Sequence, residues 1–251
     1  MKVPFFPYSD LYFEDQDAYQ TIFNDVSSKG AFILQKELED FENILCDYTG
    51  SNYALGMGNA TDALEIGLMA GGLKKGSEVI ISSHTMIATA SAIVVAGAIP
   101  VPIDCGNDHM IDVTKIESAI TEKTSAIMPT QLNGRVCEMD AIFKIADKHN
   151  LEVYEDSAQA LGAKYKNQTA GTFGIAGCIS FYPAKTMGCF GDGGALLIQD
   201  KEVYKKAKLI RDHGRNEENK KAFFHDTGTR FMEARPFFAI GRRDEDKIRD
   251  I

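Results

Sequence analysis

No run of apolar residues in this sequence approaches the roughly 20 needed to cross a bilayer, so a membrane-embedded chain is not expected. The amino-terminal stretch MKVPFFPYSDLYFEDQD places acids where a secretory signal needs an apolar core. Cysteine is scarce and odd in number: Cys46, Cys105, Cys137, Cys178 and Cys189, with no CxxC pair. That pattern argues against a disulfide framework or a spacing-defined zinc site, and for free thiols in a reducing compartment. Positive charge is also short. Lys plus Arg number 27 against 36 Asp plus Glu, a net charge of -9, which offers no electrostatic footprint for nucleic acid. Internal repeats, low-complexity tracts and Pro/Ser-rich linkers are lacking. These absences together describe a cytoplasmic protein with neither nucleic acid nor membrane as partner.

What is present suits a sizeable core. The chain has 251 residues, 44% of them apolar, enough for one large domain or a domain with an appendage. Residues 1–13 are aromatic, contain Pro4 and Pro7, and read as an extended arm. Glu14 to Lys29 reads as a helix stopped by Gly30. A second helix starts at Gln35, with Leu38, Phe41, Leu45 and Tyr48 at helical spacing and Gly50 at its end. That stripe reads as core packing. Strands are predicted at Tyr53–Met57, Glu78–Ser82, Ile99–Ile103, Ser125–Pro129, Leu151–Tyr154 and Cys178–Phe181. Helical segments fall between them, including Val113–Ile120 and an amphipathic Met139–His149, with a charged helix at Lys201–His213. This alternation predicts an α/β fold with a mostly parallel sheet and helices on both faces. The expected divisions are an amino-terminal arm and helix at 1–30, a large, ligand-binding domain at 31–214, and the diverged, truncated start of a carboxyl-terminal region at 215–251.

Chemistry concentrates between Leu151 and Leu197. Two apolar runs each end in polar residues: Glu155, Asp156 and Gln159 after the first, Tyr182 and Lys185 after the second. In an open α/β sheet, reactive groups collect beyond the carboxyl ends of the strands. An acid, an amide and an amine can therefore meet at one edge. Gly188, Gly191, Gly193 and Gly194 let backbone pass close to a ligand there. Taken singly, each residue has a plainer meaning, a solvated lysine or a helix-capping aspartate. Upstream, Gly58-Asn59-Ala60-Thr61-Asp62 turns from a strand into a helix. Such a turn is either an ordinary capped helix, with Asn59 or Thr61 as the cap, or an anion site built from free N–H groups and the positive end of the helix dipole.

The combination is more specific than its parts. Glu-Asp-Ser-Ala-Gln at 155–159, Ser-Phe-Tyr-Pro-Ala-Lys at 180–185 and Gly-Asp-Gly-Gly at 191–194 resemble the nucleotide-sugar aminotransferases, pyridoxal-phosphate (PLP) enzymes of fold type I. The resemblance implies PLP as cofactor, with Lys185 as its covalent attachment point and as the acid–base of a 1,3-proton shift. It implies that Asp156 faces the pyridine nitrogen and Gln159 the ring hydroxyl oxygen. Ser180 and Thr61 would reach the phosphate. In the family a glycine usually precedes that threonine; here it is Ala60. An aromatic ring usually stacks on the cofactor where this chain has Met86. Gln131, where relatives often carry His, and Asn133 are read as lining the site, and His84 as a cofactor contact or a structural residue.

Near the carboxyl end the family pattern Gly-x-Asn-x-Arg-Met is altered. Counting back from Ala239-Ile240-Gly241, Arg230 takes the place of an asparagine that reaches the phosphate in the neighbouring subunit. Relatives usually continue through a smaller carboxyl-terminal domain. The implied reaction moves an amino group from an amino acid, glutamate in most relatives, to a nucleotide-linked keto sugar, in a homodimer. A binding or dimerisation module that keeps the fold without turnover is the competing reading, and a lyase of the same fold a third.

Overall fold

The computed structural model describes residues 5–215. Helices α1 (Tyr8–Glu14), α2 (Gln16–Lys29) and α3 (Lys36–Thr49) come first. Next, β1 (Tyr53–Met57), α4 (Ala60–Ala70), β2 (Glu78–Ser82), α5 (Ile87–Val95), β3 (Ile99–Ile103), α6 (Val113–Ala119), β4 (Thr124–Met128), α7 (Met139–His149) and β5 (Glu152–Asp156) alternate. A short hairpin, β6 (Lys164–Tyr165) and β7 (Gln168–Thr169), leads to β8 (Ala176–Ser180), β9 (Gly194–Ile198) and α8 (Lys201–Arg211). The chain divides into two compact units, Met1–Ala207 and Lys208–Ile251. The sheet and the site belong to the first; of the second, residues 208–215 are described.

Seven strands pair in the order β1-β9-β8-β5-β4-β2-β3. Every neighbouring pair is parallel except those made by β9, which runs antiparallel to both β1 and β8. The sheet is therefore mostly parallel, as the alternation of elements predicts. Strands β8 and β9 are buried at every position. This fits their unbroken apolar character, since a strand covered on both faces has no solvent side to alternate toward.

Side-chain parity sets the two faces. Ala176 and Leu196 crowd Gly67 of α4, and Tyr154 fills the space beside Gly71 at that helix's end. Val153 instead joins Ile116 of α6 and Met139 and Ile142 of α7 in one apolar cluster. Ala195 and Leu197 join Leu45 of α3 in another. Helices α4 and α5 thus cover one face, and α3, α6 and α7 the other. Helix α7 shows why the local sequence folds as it does. Met139, Ile142 and Ala146 form its buried stripe, Asp140 sits at the positive end of its dipole, and Lys148 and His149 sit at the negative end. Asn150 then ends it in the left-handed region.

Three expectations need correction. Residues 8–14 are helical rather than extended: Pro7 stands at the N-cap of α1, where the missing N–H costs nothing. The stripe on α3 is only partly core, since Leu45 is buried but Tyr48 is exposed and lies over Gly162. Glu155 and Asp156 belong to β5 itself rather than following it. Among the described residues, no helix is long and apolar enough to cross a membrane.

Candidate active site

The carboxyl ends of β5 and β8, which are hydrogen-bonded neighbours, open on a cavity of about 720 Å³. That volume suits a small-molecule ligand. Its wall includes Ala60, Thr61, Met86, Asp156, Gln159, Ser180 and Lys185. Seven residues predicted from four separated segments therefore share one surface. Arg230 lies outside the described residues.

One end is built to receive an anion. Asn59 caps α4, its Oδ1 accepting from the Asp62 N–H at 2.8 Å, while the Asn59 carbonyl accepts from the Ala63 N–H at 3.2 Å. The N–H groups of Ala60 and Thr61 precede the first intrahelical bond, so the helix itself offers them no acceptor. They border the cavity at the positive end of the helix dipole. Both readings of this turn hold at once: Asn59 caps the helix, and two amides remain for a ligand. Gly194, at the start of β9, runs so close to the Asn59–Ala60 peptide that a Cβ there would overlap it. Ser180 ends β8 beside this turn, its Oγ accepting from the Tyr182 N–H at 3.3 Å.

The other end is carboxylate. Asp156 is 4% exposed. Its Oδ2 accepts from the Thr89 hydroxyl at 2.5 Å, and its Oδ1 accepts from the Ala158 N–H at 3.1 Å and the Cys178 thiol at 3.4 Å. Burial and the nearby carboxylate push the Cys178 thiol well above its ordinary range, which keeps it a donor. The Thr89 hydroxyl continues to Thr85 at 2.7 Å, and Thr85 to Thr130 at 2.8 Å. This chain of hydroxyls fixes Asp156 from below while its remaining surface lines the cavity. Sequence reading passed over all three threonines. The four-residue spacing of Thr85 and Thr89 was the available signal.

Lys185 sits on the loop between β8 and β9. Its N–H donates to the Tyr182 carbonyl at 2.8 Å, closing a turn, and the Cys189 N–H returns to the Phe181 carbonyl at 2.8 Å. Gly188 presses on the Pro183 carbonyl in that turn, where no larger residue fits. Phe190 of the same loop meets the rings of Tyr19 and Tyr12 at 4.8 and 6.1 Å, so α1 and α2 brace the lysine loop.

Gln131 does not line the cavity. It is fully buried on the opposite face, donating to Glu155 at 2.8 Å and accepting from the Cys137 N–H at 2.7 Å. Asn133 is exposed and takes a left-handed φ of 53°; its N–H donates to Gln159 at 3.3 Å. It thus supports a cavity residue without being one. His84 lies away from the cavity, beside Cys105 and His109. Asp62, Tyr182 and Asp192 reach the cavity wall and were not assigned a role from sequence.

The donor set fits an elongated ligand with an anionic group at one end and a proton donor at the other. Backbone amides and hydroxyls serve the first and a pinned carboxylate the second, with Lys185 and Met86 on the same wall. A PLP molecule has that polarity.

A model of the DegT/DnrJ/EryC1/StrS aminotransferase family matches residues 14–239. The chain is 38% identical over 226 residues to a pleiotropic regulatory protein of Geobacillus stearothermophilus, covering 90% of this chain and 60% of the relative. It is 37% identical over 227 residues to the dTDP-3-amino-3,4,6-trideoxy-alpha-D-glucose transaminase of Streptomyces venezuelae, covering 90% and 59%. The solved structure of NtdA from Bacillus subtilis with bound cofactor PMP superposes with a TM-score of 0.82 at 34% identity, covering 88% of this chain and 51% of that one. The chain therefore spans about three fifths of the length of the curated relatives it matches. Its fold is type I of the PLP enzymes, and the chain belongs to the DegT/DnrJ/EryC1/StrS aminotransferase family.

Proposed function

We propose that this chain carries the cofactor half of a PLP-dependent aminotransferase, moving an amino group from an amino acid, glutamate first among candidates, to a nucleotide-linked keto sugar. The observation that carries the reading is the meeting of Lys185 and Asp156 on one cavity whose far end is a helix N-terminus. The kinship with named sugar transaminases supports the substrate class. The family's shared sites and the exposed aromatic residues of α1 and α2 support a homodimer. A cytoplasmic setting accords with free, half-buried or buried cysteines.

Bound PLP supplies an electron sink for the carbon that gains or loses nitrogen. The protein's part is position and proton control. Asp156 holds a proton on the ring nitrogen; its fixed hydrogen bonds keep the carboxylate aimed. Lys185 would anchor the cofactor and, once freed, would carry the proton of the 1,3-shift between the two carbons that flank the transferred nitrogen. The amides of Ala60 and Thr61, with the hydroxyls of Thr61 and Ser180, take the phosphate. Met86 covers one face of the ring with a polarisable thioether. Gln159 approaches the ring oxygen. Arg230 is assigned to phosphate as a charge-assisted contact.

The test is spectroscopic. Purified chain mixed with PLP develops a visible absorption band, and L-glutamate converts it to the aminated cofactor with release of 2-oxoglutarate. A band that glutamate leaves unchanged favours the second reading, a PLP-fold binding or dimerisation module. That reading is favoured by the 38% identity to a relative named as a regulatory protein. Absence of any band overturns the aminotransferase reading.

A further inference from the structure

We infer that His84, Cys105 and His109 form a binding site for a zinc-class divalent cation outside the cavity that Lys185 and Asp156 line. One ligand atom from each lies within 4.8 Å of the other two. These are the side chains zinc takes most often. They do not form a spacing motif. His84 follows the carboxyl end of β2, while Cys105 and His109 flank a tight turn that follows β3. The register of the two parallel strands, Ser82 opposite Ile103, sets the two segments side by side. A further hydrogen bond from the Ser83 N–H to the Ile103 carbonyl at 2.7 Å extends that pairing.

The turn is constructed so that its ends converge. Cys105 pairs with Ile111 as an antiparallel bridge. The Gly106 N–H donates to the Met110 carbonyl and the His109 N–H to the Gly106 carbonyl, both at 2.9 Å. His109 takes φ 66°, a left-handed conformation that glycine adopts most cheaply, yet the position carries an imidazole. The two rings, His84 and His109, meet edge to face at 5.6 Å.

A second feature matches a ligand histidine. His84 Nδ1 lies 3.1 Å from the His109 carbonyl oxygen. A carbonyl oxygen only accepts, so Nδ1 carries the hydrogen and the neutral ring keeps its lone pair on Nε2. Metal-bound histidines commonly have their other nitrogen tied in this way, which fixes tautomer and ring direction. A tetrahedral zinc with bonds of about 2.0–2.3 Å spaces its ligand atoms by roughly 3.3–3.8 Å. Closing from 4.8 Å asks up to about 1.5 Å of movement from side chains that are exposed or half-buried. Among the described residues no fourth side chain of this kind joins the group, so water completes the tetrahedron. On binding, Cys105 loses its thiol proton to solvent and the sulfur forms the metal bond.

The site would clip the carboxyl ends of β2 and the edge strand β3. It also fixes the segment that ends at Met86, two residues beyond His84, on the cavity wall. The proposal does not depend on the aminotransferase reading, because metal binding is measured without substrate.

The experiment titrates the full chain with Zn²⁺, and separately with Co²⁺ as a spectroscopic probe. Expected are one zinc per chain and a thiolate-to-cobalt charge-transfer band in the near ultraviolet. Cys105→Ser and His109→Ala should each weaken zinc by at least about tenfold, and Cys105→Ser should remove the band. Cys46→Ser, on α3, should change neither. If Cys105→Ser fails to fold, the cobalt band of the unaltered chain and the His109→Ala affinity decide. Zinc binding that both variants leave intact, or a cobalt complex without a thiolate band, overturns the proposal.

Discussion

Glu155 and Asp156 are consecutive acids on one strand, both buried, and they do opposite work. Glu155 faces α7 and is wholly enclosed. Its Oε1 accepts from the Phe173 and Gly174 N–H groups at 2.7 and 3.4 Å, and its Oε2 from Gly171 N–H and Gln131 at 3.0 and 2.8 Å. Every partner is a donor, so the charged form is the one all four contacts favour, although burial pushes the carboxyl above its ordinary value. Asp156 faces the other way, has fewer ties, and keeps surface on the cavity. One acid staples the loop at 171–174 to the sheet; the other is held for a ligand. The strand's twofold period makes the division. A carboxylate is therefore judged by what remains unspent after its hydrogen bonds are counted.

The largest effect should come from the cavity side. Lys185→Ala should bring glutamate-driven turnover below detection while leaving the melting temperature near that of the unaltered chain. Asp156→Asn keeps shape and an acceptor oxygen. It should slow the reaction about 100-fold or more, with little loss of stability. Glu155→Ala should do the reverse. Leaving four donors buried and unmatched should cost about 3 kcal/mol or more of folding stability in a denaturant titration. If Glu155→Ala proved stable and inactive, and Asp156→Asn unstable, the division between the two faces would be wrong.

Finer contrasts follow. Thr89→Val removes the shortest hydrogen bond to Asp156 and should lower kcat/KM about tenfold, the worth of one bond to a charged group. The smallest effect is in pH. The folded-state pKa of Glu155 is raised above 4.5, so its contribution is greatest below that value and declines as pH rises through the folded pKa. The unaltered chain should lose stability relative to Glu155→Gln as pH climbs from about 4.5. Paired thermal melts across that window would show it, and an unaltered chain that gains stability relative to the variant as pH rises would contradict it.

Much of this site was legible in the sequence because strand, turn and helix signals place polar residues at one sheet edge. Asp156, Gln159, Ser180 and Lys185 follow or end apolar runs, and Ala60–Thr61 opens a helix after a strand. The hidden parts depend on long-range pairing. The bond between Thr89 and Asp156 spans 67 positions, and that between Thr85 and Thr130 spans 45. Threonine is too common for either to stand out. Gln131 was misplaced by one step of strand parity: Thr130 faces the cavity and its neighbour faces away. Antiparallel β9 was not foreseen: the glycine-rich segment before it was read as a ligand loop, and its pairing with β1 joins segments far apart in sequence. The metal-ligand cluster escaped because its members come from two loops whose proximity only the β2–β3 register supplies.

Lys185 and Asp156 line one cavity, and under the proposed function both would serve a single bound PLP. The direct test treats the chain with PLP and borohydride, then maps the fixed pyridoxyl group by peptide mass, in parallel with Asp156→Asn. The expected result is a single label on Lys185, with a visible band that shifts in the variant. A label spread over surface lysines, or a band indifferent to residue 156, would contradict it.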